Sequence, residues 1–181
     1  QVGVCARNNE LAVLYVNQVG GQDELVFDGG SFAVGADGEI CVQAESFKES
    51  CVEVVVDAGR HELLTPGQVV TAKTDLAAVW DALVLGLRDY VDKNGFPGVV
   101  LGLSGGIDSA VTLAVATDAL GPDRVEAVMM PFRYTASMSV EDAAAEAAEL
   151  GVRFSNISIE PMYEVFMNAL AGEFADLPAN I

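Results

Sequence analysis

The sequence predicts an α/β fold built around a parallel sheet, with a β-rich segment in front of it. Apolar runs at residues 98–103, 125–130 and 152–159 alternate with patterns of helical period in the second half of the chain. This alternation is typical of parallel strands joined by right-handed crossovers. Hydrophobic residues make up 51% of the 181 residues, which is enough to fill a core.

Capping and breaking residues mark the helix limits in this second half. Thr74 is expected to cap a helix whose apolar residues recur at helical spacing until Gly95. The next helix is expected to open within residues 105–108. Ser139 starts a capping-box pattern for the helix after it, and Pro161 suits the first turn of the last helix.

The first half is expected to form short strands. The apolar runs at residues 11–16 and 52–56 predict two strands, the first of them buried. Residues 17–30 are rich in glycine and aspartate, and they are expected to form a loop. Residues 31–44 contain two strand patterns around an Asp-Gly pair, which predicts a hairpin.

The charge of the chain limits its partners. The net charge is −18, from 27 acidic and 9 basic residues. Nucleic acids and anionic membranes need a basic surface, so neither is expected as a partner. The three cysteines show no close pair, which excludes a zinc or disulfide pattern. No leader and no apolar run of membrane-spanning length is apparent, so a cytoplasmic location is expected.

The stretch GLSGGIDSA, residues 102–110, follows the first apolar run of the second half and leads into a helix pattern. Open α/β sheets bind ligands at this kind of junction. Gly105 and Gly106 let successive backbone N–H groups point at one cluster of oxygens, and the helix N-terminus adds a positive partial charge. Asp108 beside a phosphate makes sense as a ligand to a shared Mg²⁺. The stretch therefore predicts a phosphate-binding loop.

Two common phosphate loops do not fit this stretch. A Walker loop places lysine before its final serine or threonine, where this chain has Asp108. A dinucleotide fingerprint needs the spacing G-x-G-x-x-G, which the glycines from Gly102 to Gly106 do not have.

The remaining pattern, S-G-G-x-D-S, resembles the loop of the ATP pyrophosphatases, which cleave ATP between the α- and β-phosphates. The downstream sequence MPFRYTASMSVEDA is similar to that of NAD synthetases. The upstream sequence YVNQVGGQDELVFDGGSF is similar to the end of a nitrilase-like glutaminase domain. The two units in this order resemble the glutamine-dependent NAD synthetases.

The resemblance implies a fold and a reaction. The fold would be a parallel-sheet ATP pyrophosphatase domain, related to the adenine nucleotide α-hydrolases. It would follow the C-terminal β-rich part of a nitrilase-like α-β-β-α domain. ATP would adenylate the carboxylate of deamido-NAD, and ammonia from glutamine would convert the adenylate to NAD. The implied cofactors are ATP and Mg²⁺, and the implied assembly is a homo-oligomer.

The resemblance also assigns domains and site residues. Residues 1–58 would end the glutaminase domain, residues 59–73 would form a linker, and residues 74–181 would begin the synthetase domain. The glutaminase nucleophile and most contacts to deamido-NAD would lie outside the chain. Ser104 would act in catalysis and Asp108 would bind the metal. The implied ATP-binding residues are Gly102, Leu103, Ser104, Gly105, Gly106, Ile107, Asp108, Ser109 and Arg133.

Two other functions remain open at this point. Other adenylating enzymes share the loop, among them GMP synthetases, asparagine synthetases and tRNA-thiolating enzymes. The stretch MPFRYTAS and the glutaminase-like segment speak against them. The second alternative is a non-catalytic module that binds a nucleotide, because neither implied site is complete in this chain.

Overall fold

The computed structural model describes residues 1–57, 59–60, 62–63, 67–71 and 73–173. The chain divides into two compact units, Gln1–Phe96 and Pro97–Ile181. The predicted linker over residues 59–73 lies partly outside the described residues. The domain boundaries that the sequence implies stay a prediction.

The first unit combines two helices with short antiparallel strands. Strands β1, β4 and β5 form one sheet in that order, while β2 pairs with β3 and β6 pairs with β7. The elements are α1 (Val2–Asn9), β1 (Val13–Tyr15), β2 (Val19–Gln22), β3 (Leu25–Asp28), β4 (Phe32–Val34), β5 (Ile40–Gln43), β6 (Val56–Asp57), β7 (Glu62–Leu63) and α2 (Asp75–Lys93).

The hairpin predicted over residues 31–44 is present as β4 and β5. Its turn is closed by a hydrogen bond from the N–H of Gly38 to the carbonyl of Gly35 at 2.9 Å. Gly38 has a φ of 84°, a value that favours glycine, so the Asp-Gly pair supplies the backbone freedom that the turn needs.

The loop predicted over residues 17–30 is wrong. These residues form the hairpin of β2 and β3, in which Gly21 lies opposite Val26. The glycines of β2 hide the alternating pattern of a strand, but they let the strand approach α2 closely. A Cβ atom on Gly21 would lie 3.1 Å from the Cα atom of Gly86. Glycine in this strand therefore marks a close backbone approach.

The two strands predicted from apolar runs are shorter than expected. The run at residues 11–16 gives β1, which is not buried, since Leu14 is 50% exposed. Among the strands that the structure describes, β1 pairs with β4 alone. It lies at the sheet edge, so its apolar side chains are not enclosed. Of residues 52–56, only Val56 belongs to a strand. An apolar run becomes a strand only where a neighbour satisfies its backbone.

Helix α2 confirms the predicted limits. The Thr74 hydroxyl accepts a hydrogen bond from the N–H of Ala77, and Gly95 follows the helix with a φ of 70°. On the face toward the hairpin, the carboxylate of Asp89 accepts the N–H of Gly21 at 2.7 Å. Lys93 pairs with Asp89 at 2.9 Å and donates to the carbonyl of Gly21 at 2.7 Å.

The second unit contains the predicted parallel sheet. Strand β9 lies between β8 and β10 and is parallel to both. Helices α3 and α4 pack against each other and against β9. The elements are β8 (Val99–Gly102), α3 (Ile107–Leu120), β9 (Val125–Met129), α4 (Ser137–Leu150), β10 (Arg153–Asn156) and α5 (Glu160–Leu170).

The core of this unit lies between the helices and the sheet. Its large, fully buried side chains include Leu103 and Leu113, and the small residues Ala127, Ala143 and Ala147 are completely enclosed. Small side chains let a helix approach the sheet closely, so the alanine-rich sequence of α4 is used for packing.

The helix start predicted at Ser139 is wrong. Helix α4 begins at Ser137, and its N-cap Ala136 makes no side-chain capping bond. Ser139 therefore lies inside the first turn. Its N–H donates to the carbonyl of Ala136 at 3.1 Å. This N–H is therefore satisfied by the backbone and not by a capping side chain. Pro161 is in the first turn of α5, as predicted.

We predict that Asp89→Asn lowers the stability of the first unit by about 1 kcal/mol at pH 7. Partial burial raises the pKa of Asp89, but bonds from Lys93 and from the N–H of Gly21 outweigh it, so the pKa is lowered. The contribution is then present above the unfolded pKa, about 3.9, and is lost as the pH falls through the folded pKa.

Urea unfolding followed by tryptophan fluorescence measures this effect, because the single tryptophan, Trp80, lies on α2. The stability difference between the two proteins should shrink below about pH 4. Glu149→Gln, which changes an exposed carboxylate on α4, is the control. A difference that is the same at pH 7 and pH 3 would contradict the role of the Asp89 charge.

Candidate functional site

The loop between β8 and α3 is anchored to the parallel sheet. Leu103 follows the last residue of β8, and its N–H donates to the carbonyl of Val128 in β9 at 2.9 Å. Its side chain is 1% exposed. The loop therefore leaves the sheet from a fixed point, at the carboxyl end of a parallel strand.

Gly105 is the most constrained residue of the loop. Its φ is 75°, a conformation that side chains rarely adopt. A Cβ atom at this position would lie 2.1 Å from the backbone oxygen of Ser139 and 2.7 Å from its Cα atom. The first turn of α4 thus presses directly on the loop, and only glycine fits between them.

A network of two serines closes the loop on the side of α3. The hydroxyl of Ser109 accepts the N–H of Ser104 at 3.1 Å and donates to the carbonyl of Gly106 at 2.9 Å. The hydroxyls of Ser104 and Ser109 lie 2.9 Å apart, and that of Ser104 accepts the N–H of Gly106 at 3.2 Å. The two serines that the sequence assigns to ATP therefore also hold the loop in shape.

The N-terminus of α3 opens onto the same loop. The N-cap Gly106 makes no side-chain capping bond. The first N–H groups of a helix have no partner within the helix, and together they form a site for an anion. Ile107 and Asp108 occupy this first turn and are both exposed. The eight residues predicted from Gly102 to Ser109 are thus continuous in space as well as in sequence.

Asp108 is the one acidic residue in the first turn of α3. Its backbone carbonyl accepts the hydroxyl of Thr112 at 2.8 Å, and the residue is exposed. In the part of the chain that the structure describes, no three His, Cys, Asp or Glu side chains cluster as metal ligands. A single carboxylate fits Mg²⁺ that takes its other ligands from phosphates and water.

Arg133 is not free in this structure. It lies in the segment between β9 and α4, and its guanidinium pairs with Glu160 and with Glu164, the latter at 2.8 Å. It also lies over the rings of Phe132 and Tyr163, at 5.2 and 5.3 Å from their centroids. The structure therefore places the predicted ATP-binding arginine among partners on α5.

Sequence reasoning missed the part that Ser139 plays. It assigned this serine to the start of a helix, whereas its backbone forms one wall of the loop at Gly105. The contact links residues 34 positions apart through a main-chain oxygen, so no residue type in the sequence could signal it. The missed partners of Arg133, Glu160 and Glu164, follow the helical spacing of i and i+4 along α5.

No helix among the described residues has both the length and the apolar character that crossing a membrane requires.

Comparison with known proteins finds a matching family model for the second half of the chain and relatives that cover most of it. The model of the NAD synthase family matches residues 79–180, which is more than half of the sequence. The glutamine-dependent NAD(+) synthetase of Acinetobacter baylyi is 47% identical over 170 residues, covering 93% of this chain and 31% of that protein. The enzyme of the same name from Rhodobacter capsulatus is 45% identical over 162 residues, covering 89% of this chain and 29% of that protein.

A solved structure agrees over almost the full chain. It is the glutamine-dependent NAD+ synthetase of Acinetobacter baumannii in complex with ADP, which has 46% sequence identity. The TM-score is 0.92, with 99% of this chain and 34% of that chain covered. The predicted α/β fold class with an ATP pyrophosphatase unit is confirmed.

The chain spans about a third of the length of these relatives. Several kinds of adenylating enzyme share the S-G-G-x-D-S loop, and the family model favours the NAD synthases among them. The matched residues include the whole of that loop. The chain therefore belongs to the NAD synthase family.

Proposed function

We propose that this chain is part of an enzyme that amidates deamido-NAD to NAD, using ATP and ammonia from glutamine. The family match supports this reaction, and so do the relatives named glutamine-dependent NAD(+) synthetase. The site observation that carries the proposal is the loop at Gly105, which is open to an anion on one side and packed against α4 on the other. ATP is the anion that this loop would bind.

The loop would bind the phosphates through its backbone. Gly105 and Gly106 carry no side chain that could block an oxygen, and the first turn of α3 adds N–H groups and the helix dipole. Backbone donors suit a chain with a net charge of −18, because they are local and do not depend on the overall field. Ser104 and Ser109 would add hydroxyl donors from the network that already orders the loop.

Asp108 would hold Mg²⁺ beside these phosphates. When bound, the ion would neutralise the negative charge that moves onto the leaving pyrophosphate. The carboxylate of Asp108 is exposed at the helix N-terminus, so it can reach an ion without leaving its place in the first turn. The residues of this chain would thus orient ATP and its ion for attack at the α-phosphorus.

The reaction balances in two steps. A carboxylate oxygen of deamido-NAD attacks the α-phosphorus of ATP, the bond to the bridging oxygen breaks, and pyrophosphate leaves with the electron pair. Ammonia then attacks the acyl carbon of the adenylate, AMP leaves, and a proton passes to solvent. Relatives are about three times as long as this chain. The family resemblance implies that the glutaminase centre and most contacts to deamido-NAD would lie outside these residues.

The assignment of Arg133 to ATP, the homo-oligomeric state and the cytoplasmic location stay predictions. So do the boundaries that end the glutaminase part at residue 58 and begin the synthetase part at residue 74.

We predict that Asp108→Asn in the full-length enzyme lowers Mg²⁺-dependent pyrophosphate release on the order of a hundredfold or more, because metal stabilisation of charge is worth several kcal/mol. Asparagine has nearly the same shape and remains exposed, so the fold should be unchanged. Pyrophosphate release with deamido-NAD and ammonia measures the activity, and circular dichroism measures the fold. Asp142→Asn, an exposed carboxylate on α4, is the control. Full activity in Asp108→Asn would contradict the metal assignment.

We predict that Gly105→Ala abolishes ATP binding, because its Cβ atom would collide with the backbone of Ser139. Gly151→Ala is a matched control. Gly151 has a φ of 70°, close to the 75° of Gly105, but a Cβ atom there meets nothing within 4 Å. Both variants carry backbone strain of about 1 kcal/mol, and only Gly105→Ala adds the collision.

Calorimetric titration with Mg²⁺-ATP measures binding in the two variants. Gly151→Ala should bind ATP like the unsubstituted protein. Equal affinity in Gly105→Ala and Gly151→Ala would show that the fit between the loop and α4 is not needed for ATP.

A further inference from the structure

Arg133 joins the segment before α4 to the start of α5 by several contacts at once. Its guanidinium donates to the carboxylates of Glu160 and Glu164, and its backbone N–H donates to the carboxylate of Glu160 at 3.3 Å. The guanidinium also lies over two aromatic rings, Phe132 and Tyr163, whose centroids are 4.8 Å apart. One of these partners lies shortly after β9 and the others lie on α5, and all of them contact Arg133.

The segment that carries Arg133 is closed by short-range hydrogen bonds. The N–H of Phe132 donates to the hydroxyl of Thr135 at 2.9 Å, and the N–H of Thr135 donates back to the carbonyl of Phe132 at 2.8 Å. The N–H of Ser139 then donates to the carbonyl of Ala136. The turn that holds Arg133 is therefore rigidly connected to the first turn of α4.

That first turn is the wall against which the ATP loop packs. The backbone of Ser139 lies where a Cβ atom on Gly105 would be, so a small shift of the turn would open or distort the loop. A continuous path of contacts thus runs from Glu160 and Glu164 through Arg133 to Ser139 and Gly105. We call this path the α5 latch.

We propose that Arg133 is a positioning residue, which holds the turn before α4 through Glu160 and Glu164 so that the ATP loop keeps its shape. This role rests on the proposed function of the loop and differs from direct contact with ATP. The charge supports it, because two carboxylates already surround the guanidinium and leave no net positive charge for a phosphate.

The experiment breaks the latch from both sides. The double variant Glu160→Gln/Glu164→Gln removes both carboxylates and leaves the charge of Arg133 in place, whereas Arg133→Gln removes the charge. If Arg133 positions the turn, both variants raise the KM for ATP about three- to tenfold, with a smaller change in kcat, because exposed ion pairs stabilise a structure only modestly. If Arg133 binds ATP directly, the two variants act in opposite directions, and a KM lowered by the double variant overturns the proposal.

A second measurement does not depend on activity. Amide hydrogen exchange should become faster in residues 131–136 and in residues 103–107 in both variants, because the latch orders both segments. Arg153→Gln removes an exposed arginine whose Nε atom lies 3.5 Å from Glu126, at the opposite end of the strands, and should change neither readout. Unchanged exchange in the loop overturns the latch even if the enzyme makes NAD. If exchange becomes faster in both variants but the unsubstituted full-length protein itself releases no pyrophosphate, the latch stands and the proposed function is contradicted.

Discussion

The contact between the backbone of Ser139 and Gly105 is the constraint on which the second unit depends. It fixes the distance between the loop after β8 and the first turn of α4, and it leaves room for no side chain. The parallel strands bring the two elements together, because β8 and β9 are neighbours and each leads into one of them. Sheet register, helix packing and the candidate ATP site are therefore parts of one arrangement.

The charge of the molecule is compatible with a candidate phosphate site made of backbone groups. A chain with 27 acidic and 9 basic residues has few cations to offer a nucleotide, and Arg133 is already paired. N–H groups at a helix end are available whatever the net charge, and they need no side chain. The carboxylate of Asp108 suits a divalent ion, which would offset its repulsion of a phosphate.

The sequence predicted most of the second unit, because a glycine follows both α3 and α4 and a proline lies in the first turn of α5. It also located the junction between β8 and α3, because the glycines and serines of that junction are adjacent along the chain. The assignment of Gly102–Ser109 to ATP stays a prediction. The prediction was wrong or incomplete where contacts between residues distant in the sequence determine the local structure. The β2 strand contains Gly20 and Gly21, which weaken a strand pattern, and they are tolerated only because α2 lies against them. The first turn of α4 and the partners of Arg133 depend on tertiary contacts in the same way.

The bonds of Gly21 to α2 have a further consequence. Asp89 accepts the N–H of Gly21 and Lys93 donates to its carbonyl, so two side chains of a helix bond both backbone groups of one residue, as an adjoining strand would. These groups point away from β3, along the outer side of the hairpin, where β2 would otherwise offer a template for another chain. In the folded unit, an acid and a base one helical turn apart thus occupy backbone groups that could otherwise pair with a strand of another chain.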